Sequence, residues 1–321
     1  MNRAPLLVVE GLSRFYGSLQ AVKNIAFEVR QGEVLGFLGP NGAGKTTTMQ
    51  MLTGNLAPSA GRIRVAGHDL LEEPRAAKAA LGYLPEQPPL YRDLSVNEYL
   101  DYCAALHGIV RKQVRAARDN AKDKCGLHEV GRRLIGNLSK GYQQRVGIAQ
   151  AIIHLPPVII LDEPTAGLDP LQIREIRHLI RELGKDHSVI LSTHILPEVQ
   201  SVCTRVQIIH QGALVLSDSI DGLAQRMQAS VLALAFRQTP DARLLAQLPG
   251  VKNIDVLEDG TLRLYHEAAV NPTEAVVKLA AEKNWGLLQL TPQRATLEDI
   301  FLELTTEDRV PPTLSPAAPP A

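Results

Sequence analysis

GPNGAGKT, residues 39–46, is the stretch around which the rest of the chain is organised. The apolar residues 34–38 precede it, and TTMQML follows it. Two glycines separated by four residues and followed by Lys45 and Thr46 form the pattern of a phosphate-binding loop between a buried strand and a helix. The sequence therefore predicts a nucleotide-binding α/β protein. The alternative is a glycine-rich turn without a ligand, and the pattern alone does not specify which P-loop activity is present.

Each residue type in this loop suits a phosphate ligand. Glycines let the backbone curl so that successive N–H groups point at phosphate oxygens, and the new helix adds the positive end of its dipole. Lys45 can reach the outer phosphates, and the Thr46 hydroxyl can ligate Mg²⁺. The residues predicted to contact the nucleotide here are Gly39, Pro40, Asn41, Gly42, Ala43, Gly44, Lys45, Thr46 and Thr47.

Composition limits the class of protein. Lys+Arg and Asp+Glu both number 34 among 321 residues, so nothing in the charge balance indicates nucleic acid as the main partner. Apolar residues make up 45% of the chain, yet no stretch approaches the roughly 18 uninterrupted apolar residues of a membrane span. The three cysteines are widely spaced, which is typical of reduced thiols. We expect a soluble, cytoplasmic protein.

The order of elements predicts an α/β fold. Helices are expected near residue 74, over much of 95–127, and over 171–183. Alternation of strands with helices implies a parallel sheet covered on both faces. The predicted strands are residues 6–12, 21–29, 34–38, 62–65, 81–84, 158–161, 189–192, 206–210 and 213–216.

Two further motifs narrow the type of P-loop protein. The four apolar residues 158–161 are followed by Asp162 and Glu163, which places two carboxylates at the end of a sheet strand. One can hold Mg²⁺ and the other can orient or deprotonate a water, although an isolated Asp-Glu pair is often only a strand end. LSKGYQQR, residues 138–145, opens a helix with Ser139 and Gly141 at its N-terminus, which is a second anion-binding helix end. A single nucleotide site needs only one anion-binding helix end, so one site does not account for the second.

These motifs resemble those of the ATP-binding cassette (ABC) transporters. LSKGYQQR resembles the family signature LSGGQQQR, and VIILDEPTAGLDP resembles the Walker B and D-loop segment. LSTHIL resembles the switch-histidine segment, and Tyr16 in RFYG matches the aromatic residue that stacks on adenine. The resemblance covers residues 6–216. It implies a P-loop NTPase cassette with a RecA-like core sheet and a helical subdomain, binding ATP and Mg²⁺.

The resemblance also implies roles across a dimer. Family members pair head to tail, so that each ATP lies between the phosphate loop of one subunit and the signature helix of the other. Ser139 and Gly141 would then contact the γ-phosphate bound by the partner's phosphate loop, and Asp169 would couple the two sites. The pair could be a homodimer or two different cassettes.

Within one subunit, the resemblance implies that Glu163 is the catalytic carboxylate and that Asp162 and Thr46 are the ligands of Mg²⁺. His194 would contact the γ-phosphate and position the attacking water, and Tyr16 would stack on adenine. From the residues alone, a lone histidine after a strand is more often structural, and a lone tyrosine is more often a core or turn residue.

Three departures from the family pattern stand out. The signature has Lys140 where Gly is usual and Tyr142 where Gln is usual, but it keeps Gly141. In the segment that resembles the Q-loop, Glu86 precedes Gln87, and either could be the metal ligand because a carboxylate serves at least as well as an amide. The third departure is the lack of a fused membrane domain, so we expect the permease to be a separate chain.

The sequence predicts three regions. Residues 1–217 form the ABC nucleotide-binding domain, with a helical subdomain at about 88–155, and residues 218–306 form an accessory α+β domain. That domain has the order βαββαβ followed by a helix at 296–304, which is typical of a small ferredoxin-like or related α+β module. A structural or dimer-supporting role is the simplest interpretation, and ligand sensing is the alternative. Residues 307–321 are rich in Pro and Ala and are expected to be disordered.

The leading functional hypothesis is an ATPase that powers a membrane transporter. The ending TLEDIFLEL resembles subunits paired with ABC-2-type permeases, which favours export and a location on the inner face of the membrane. A soluble ABC protein of ribosomes or DNA usually has tandem cassettes or a long coiled coil, and neither pattern is present in the sequence. A third hypothesis is a P-loop kinase or GTPase, but neither class of enzyme accounts for the LSKGYQQR helix.

Overall fold

A computed structural model describes residues 4–226, 231–238, 240–257, 260–267 and 270–293. The chain divides into two compact units, with the boundary between Ile220 and Asp221. Helix α8 below begins at this boundary. The elements, in chain order up to it, are β1 (Pro5–Tyr16), β2 (Leu19–Arg30), β3 (Val34–Leu38), α1 (Lys45–Leu52), β4 (Ala60–Val65), β5 (His68–Asp69), α2 (Pro74–Ala79), β6 (Leu81–Leu84), α3 (Val96–Leu106), α4 (Arg111–Cys125), α5 (Lys140–Ile152), β7 (Val158–Asp162), α6 (Pro170–Asp186), β8 (Ser188–Thr193), α7 (Leu196–Val202), β9 (Arg205–His210), β10 (Ala213–Ser219) and α8 (Ile220–Arg226).

A six-stranded sheet in the order β10-β9-β3-β8-β7-β6 forms the centre of the first unit. Neighbouring strands from β9 to β6 pair in parallel, and only β10 pairs antiparallel at the edge. Every residue of β3, β7 and β8 is buried, which explains their nearly continuous apolar sequences. Because β3, β7 and β8 run in parallel, the segments after residues 38, 162 and 193 start from the same sheet edge.

The first strands form a separate antiparallel sheet in the order β2-β1-β4-β5. The prediction of a parallel sheet therefore holds only for β3, β6, β7, β8 and β9. Only two residues, Gly17 and Ser18, join β1 to β2, and such a short connection permits only an antiparallel hairpin. The two sheets share one apolar core, in which Leu7 and Ile25 lie with Phe37 and Ile160.

The predicted helical region contains two helices, α3 and α4, followed by the signature helix α5. A capping box begins α3, since Ser95 Oγ accepts from Glu98 N and the Glu98 carboxylate accepts from Ser95 N. Helix α4 ends at Gly126, which adopts the left-handed conformation common after helices.

The second unit has the predicted order βαββαβ. Its four strands form a sheet that is antiparallel throughout, with the second, third, first and fourth strands side by side in that order, which is the ferredoxin-like arrangement. Leu232 and Leu264 of the sheet pack with Val276 and Trp285 in its core. The predicted helix at 296–304 and the predicted tail at 307–321 lie outside the described residues. The elements are β11 (Val231–Phe236), α9 (Ala242–Ala246), β12 (Val251–Val256), β13 (Leu262–His266), α10 (Thr273–Glu282) and β14 (Leu287–Gln293).

Candidate functional site

The phosphate loop runs from the end of β3 into α1, as predicted. Gly44 is the N-cap of α1 with φ +104°, and a Cβ there would lie 2.6 Å from the Ala21 carbonyl oxygen. A Cβ at Gly39 would lie 2.4 Å from the Ile209 carbonyl oxygen. Both glycines are therefore required by close backbone contacts. The first turn of α1 contains no acidic residue, so its N–H groups and dipole are available to an anion.

Lys45 lies at the centre of the loop. Its ammonium group donates to the Gly39 carbonyl at 2.8 Å and to the Pro40 carbonyl at 3.2 Å. It also lies 3.5 Å from Glu163 Oε1, and both side chains are at least nine-tenths buried. The loop carbonyls thus hold the charge of Lys45 beside the carboxylate that follows β7.

Glu163 and His194 meet directly, although they follow different strands. His194 Nδ1 lies 3.0 Å from Oε1 and 2.9 Å from Oε2 of Glu163, so Nδ1 is the protonated nitrogen that donates to the carboxylate. Glu163 has φ +46°, a left-handed conformation that strains a non-glycine residue. Its N–H donates to the Ser192 carbonyl at 3.0 Å, which fixes it against β8.

Asp162 is a buried carboxylate without a donor. It is 1% exposed, and neither of its side-chain oxygens accepts a hydrogen bond within the described part of the chain. Burial raises the pKa of Asp162, and the nearby charges of Glu163 and Glu86 raise it further. The Ser192 hydroxyl is close enough to lower this pKa but does not reach hydrogen-bond geometry. An unpartnered buried carboxylate fits a cation ligand.

A cavity of about 280 Å³ brings together nine of the predicted site residues. Glu86 lines it, whereas Gln87 is not one of the lining residues that the structure describes. Ala21 and Ala166 also line it, and neither is predictable from the sequence because alanine carries no chemical signal. The lining residues are Ala21, Asn41, Gly42, Gly44, Lys45, Thr46, Thr47, Glu86, Glu163, Ala166 and His194.

Several predicted residues lie outside this lining. Gly39 and Pro40 contribute through their carbonyls to Lys45, and Ala43 is buried beneath the loop. Tyr16 lies at the end of β1 with 45% of its surface exposed. The Arg14 guanidinium lies 4.8 Å from the centre of the Tyr16 ring.

The residues implied for the dimer contact cap two helices. Ser139 is the N-cap of α5 and accepts from Tyr142 N, and Asp169 is the N-cap of α6 and accepts from Gln172 N at 2.9 Å. A Cβ at Gly141 would lie 2.7 Å from the Gln172 side chain, so Gly141 permits close packing of α5 on α6. None of the three lines the cavity described above.

A buried hydrogen-bond network that the sequence motifs do not predict joins the segments of Glu163 and His194. Glu198, in the first turn of α7, accepts from the hydroxyls of Thr165 and Thr193. These threonines flank Glu163 and His194 in the sequence, which is a weak signal by itself. Only the fold shows that one carboxylate joins them.

Comparison with known proteins identifies the family. A family model described as "ABC transporter" matches residues 22–166. The bacitracin transport ATP-binding protein BcrA of Bacillus licheniformis is 35% identical over 295 residues, which are 91% of this chain and 95% of BcrA. The chain belongs to the ABC transporter ATP-binding proteins.

Other ABC proteins agree. The daunorubicin resistance ATP-binding protein DrrA3 of Streptomyces coeruleorubidus is 31% identical, covering 94% of this chain and 96% of DrrA3. The structure of cbiO1 of Clostridium perfringens, part of the ABC transporter complex cbiONQ, has a TM-score of 0.63 and 30% identity over 68% of this chain and 90% of cbiO1. This ABC protein is thus the ATP-binding and ATP-hydrolysing subunit of a transporter. Among the helices that the structure describes, none has the length and apolar character needed to cross a membrane.

Proposed function

We propose that this ABC subunit hydrolyses ATP at the cavity formed by Lys45, Glu163 and His194 and thereby powers a separate membrane permease of the ABC-2 type. The observation that carries the proposal is the buried ion pair of Lys45 and Glu163, joined to His194 at the end of the parallel sheet. A cation that binds phosphate, a carboxylate that can act as base and a histidine that can position groups nearby are together suited to phosphoryl transfer to water.

The geometry supports a division of roles among these residues. A phosphate beside Lys45 competes with Glu163 for the ammonium group, because both are anions within reach of it. The Glu163 carboxylate then accepts a proton from the attacking water as general base. His194, hydrogen-bonded to Glu163, holds the carboxylate and directs its own ring toward the γ-phosphate.

Mg²⁺ fits the residues around Asp162. We assign Asp162 and Thr46 as its ligands, because the buried Asp162 oxygens lack donors and Thr46 lines the adjoining cavity. When bound, Mg²⁺ neutralises charge on the β- and γ-phosphates. Of the two candidate Q-loop residues, we favour Glu86 over Gln87, because Glu86 lines the cavity and acts electrostatically on Asp162.

The nucleotide is proposed to lie between two subunits. Tyr16 offers an exposed ring for adenine, and Ser139 and Gly141 sit at a helix N-terminus that can accept a γ-phosphate from the partner subunit. Asp169, the cap of α6, is proposed to couple the two sites. The assembly is a homodimer or a pair of related cassettes.

We further propose that the nucleotide-binding domain comprises residues 1–217 with its helical subdomain at about 88–155, followed by the accessory domain 218–306 and the tail 307–321. The surface at residues 88–93 would contact the permease on the inner face of the membrane. Export is favoured because the relatives are named for bacitracin transport and daunorubicin resistance.

Substitution of Glu163 tests the hydrolytic role. Glu163→Gln is expected to lower the rate of ATP hydrolysis by about 100-fold or more while ATP binding is retained and an ATP-bound dimer accumulates. Glu182→Gln, at an exposed glutamate of α6, is the matched control. Normal turnover by Glu163→Gln would remove Glu163 from this role. Lys45→Ala should weaken ATP binding itself, which equilibrium titration measures.

Affinity capture of the tagged chain from detergent-solubilised membranes tests the partner. A multi-span permease identified by mass supports the transporter proposal. Recovery of ribosomal or DNA-repair components alone, with ATPase activity intact, would contradict it.

A further inference from the structure

Behind the cavity, Glu198 joins the two chain segments that carry Glu163 and His194. Thr165 Oγ1 donates to Glu198 Oε1 at 2.5 Å, and Thr193 Oγ1 donates to Glu198 Oε2 at 2.8 Å. All three members of this network are buried, with Glu198 only 1% exposed. Each oxygen of one carboxylate therefore holds a different segment.

The hydrogen-bond pattern fixes the direction of these contacts. The Thr193 hydroxyl accepts from Ile195 N at 3.0 Å, so its own proton is directed to Glu198. The Arg177 guanidinium lies 3.7 Å from Glu198 Oε1 and partly compensates its charge. A buried carboxylate is costly without such partners, and an apolar side chain would pack this space at lower cost. The carboxylate is therefore explained by the orientation that it imposes rather than by packing.

The segments that Glu198 holds are those whose position matters to the site. Glu163 is held in a left-handed conformation, which persists only where the surrounding structure over-determines it. Thr165 lies two residues after Glu163, and Thr193 directly precedes His194. The network thus anchors both partners of the 2.9 Å contact between Glu163 and His194.

We infer that Glu198 is a positioning residue, which sets the placement of Glu163 against His194 and so the rate of ATP hydrolysis without contacting the nucleotide. The inference rests on the proposed roles of Glu163 and His194. Loss of the Glu198 contacts should therefore slow hydrolysis without weakening ATP binding, because Lys45 is held by the carbonyls of residues 39 and 40 and not by Glu198.

Variants of Thr193 test this in the full chain. Thr193→Val keeps the shape of the side chain but removes the hydroxyl, whereas Thr193→Ser keeps the hydroxyl. We expect Thr193→Val and Glu198→Gln each to lower kcat by about 10- to 100-fold, as for other displacements outside the reacting groups. The Kd for ATP should stay within about threefold, and Thr193→Ser should retain most of the activity. Glu182→Gln serves as the control for loss of a charge elsewhere.

The double variant Thr193→Val/Glu198→Gln adds a second readout. If the Thr193 hydroxyl and the Glu198 carboxylate act as one unit, the kcat of the double variant should lie within about threefold of the kcat of the less active single variant. Independent effects would instead multiply the two losses of kcat. Turnover within about twofold of wild type in both single variants would overturn the inference. So would parallel losses of kcat, ATP affinity and melting temperature, which indicate a merely structural role.

Glu163→Gln separates this inference from the proposed function. If Glu163→Gln is inactive while the Thr193 and Glu198 variants turn over normally, only the positioning role fails. If Glu163→Gln turns over normally, both proposals fail.

Discussion

Gly82 of β6 offers a quantitative test of how tightly that strand packs on helix α5. A Cβ at residue 82 would lie 2.1 Å from the Ala151 carbonyl oxygen and 2.9 Å from Pro156 Cγ. Carbon and carbonyl oxygen ordinarily approach to about 3.3 Å, so strand and helix would have to separate by about 1.2 Å. Because backbone blocks the methyl group, we expect Gly82→Ala to lower the free energy of unfolding by about 3 kcal/mol, the upper end of usual overpacking penalties.

Gly108 provides the matched control, since the same chemical change there meets open space. Gly108 has φ +74° and no atom within 4 Å of the added Cβ. Alanine in that conformation costs about 1–2 kcal/mol, which the loss of freedom in the unfolded chain partly offsets. We therefore expect Gly108→Ala to lower the free energy of unfolding by only about 1 kcal/mol.

Urea unfolding of the full chain measures both effects. Circular dichroism follows all of the secondary structure, whereas Trp285, the one tryptophan of the chain, reports on the core of the second unit. Gly82→Ala should shift the circular dichroism transition to lower urea and leave the Trp285 fluorescence transition in place. If Gly82→Ala costs no more than Gly108→Ala, then β6 and α5 separate cheaply and the steric reasoning is wrong.

Two further predictions concern pH and metal binding. Burial, together with the stacked His107 and nearby His187, lowers the pKa of His154 from 6.5 to about 4, so the unfolded chain binds a proton there before the folded chain does. This contribution to the free energy of unfolding is complete above pH 6.5 and is lost as the pH falls towards 4. Its size is on the order of 1–2 kcal/mol, because partial exposure of His154 reduces the free energy that the pKa difference alone would give. His154→Gln should therefore flatten the decline in stability between pH 7 and pH 4, measured by urea titration at several pH values, and an unchanged slope would contradict the assignment. Glu86→Ala should weaken Mn²⁺ binding in the presence of ATP by about tenfold in paramagnetic resonance titrations, whereas Gln87→Ala should leave it unchanged; the reverse ranking would assign the Q-loop position to Gln87.

Much of the fold is predictable from local patterns. Strands β3, β7 and β8 are buried on both faces, so each appears in the sequence as a short apolar run, and the residues after them meet because parallel strands end at one edge. The phosphate loop is contiguous, so its chemistry is visible without any tertiary information. The sheet formed by β1, β2 and β4 was harder to predict, because strand periodicity does not specify the partner of a strand.

What the sequence left out depends on contacts between distant residues. Thr165, Thr193 and Glu198 are ordinary residues in three short segments, and only the packing of α7 beneath the sheet edge joins them. Motif order implied that Glu163 and His194 are close, but their 2.9 Å contact and the left-handed backbone of Glu163 depend on the fold. The choice between Glu86 and Gln87 likewise required the cavity.

The left-handed backbone at Glu163 affects which substitutions are selected for heat tolerance in this protein. Glycine, or less fully asparagine, adopts φ +46° with less strain than glutamate, so replacements at this position relieve about 1–2 kcal/mol of backbone strain while removing the carboxylate. Removal of the carboxylate also leaves the buried Lys45 ammonium without its partner, at a cost of about 3–5 kcal/mol, which exceeds the relief of strain. A library selected for heat tolerance alone should therefore retain Glu163. A library selected for turnover should retain it as well, so that both selections keep the strained backbone at this position.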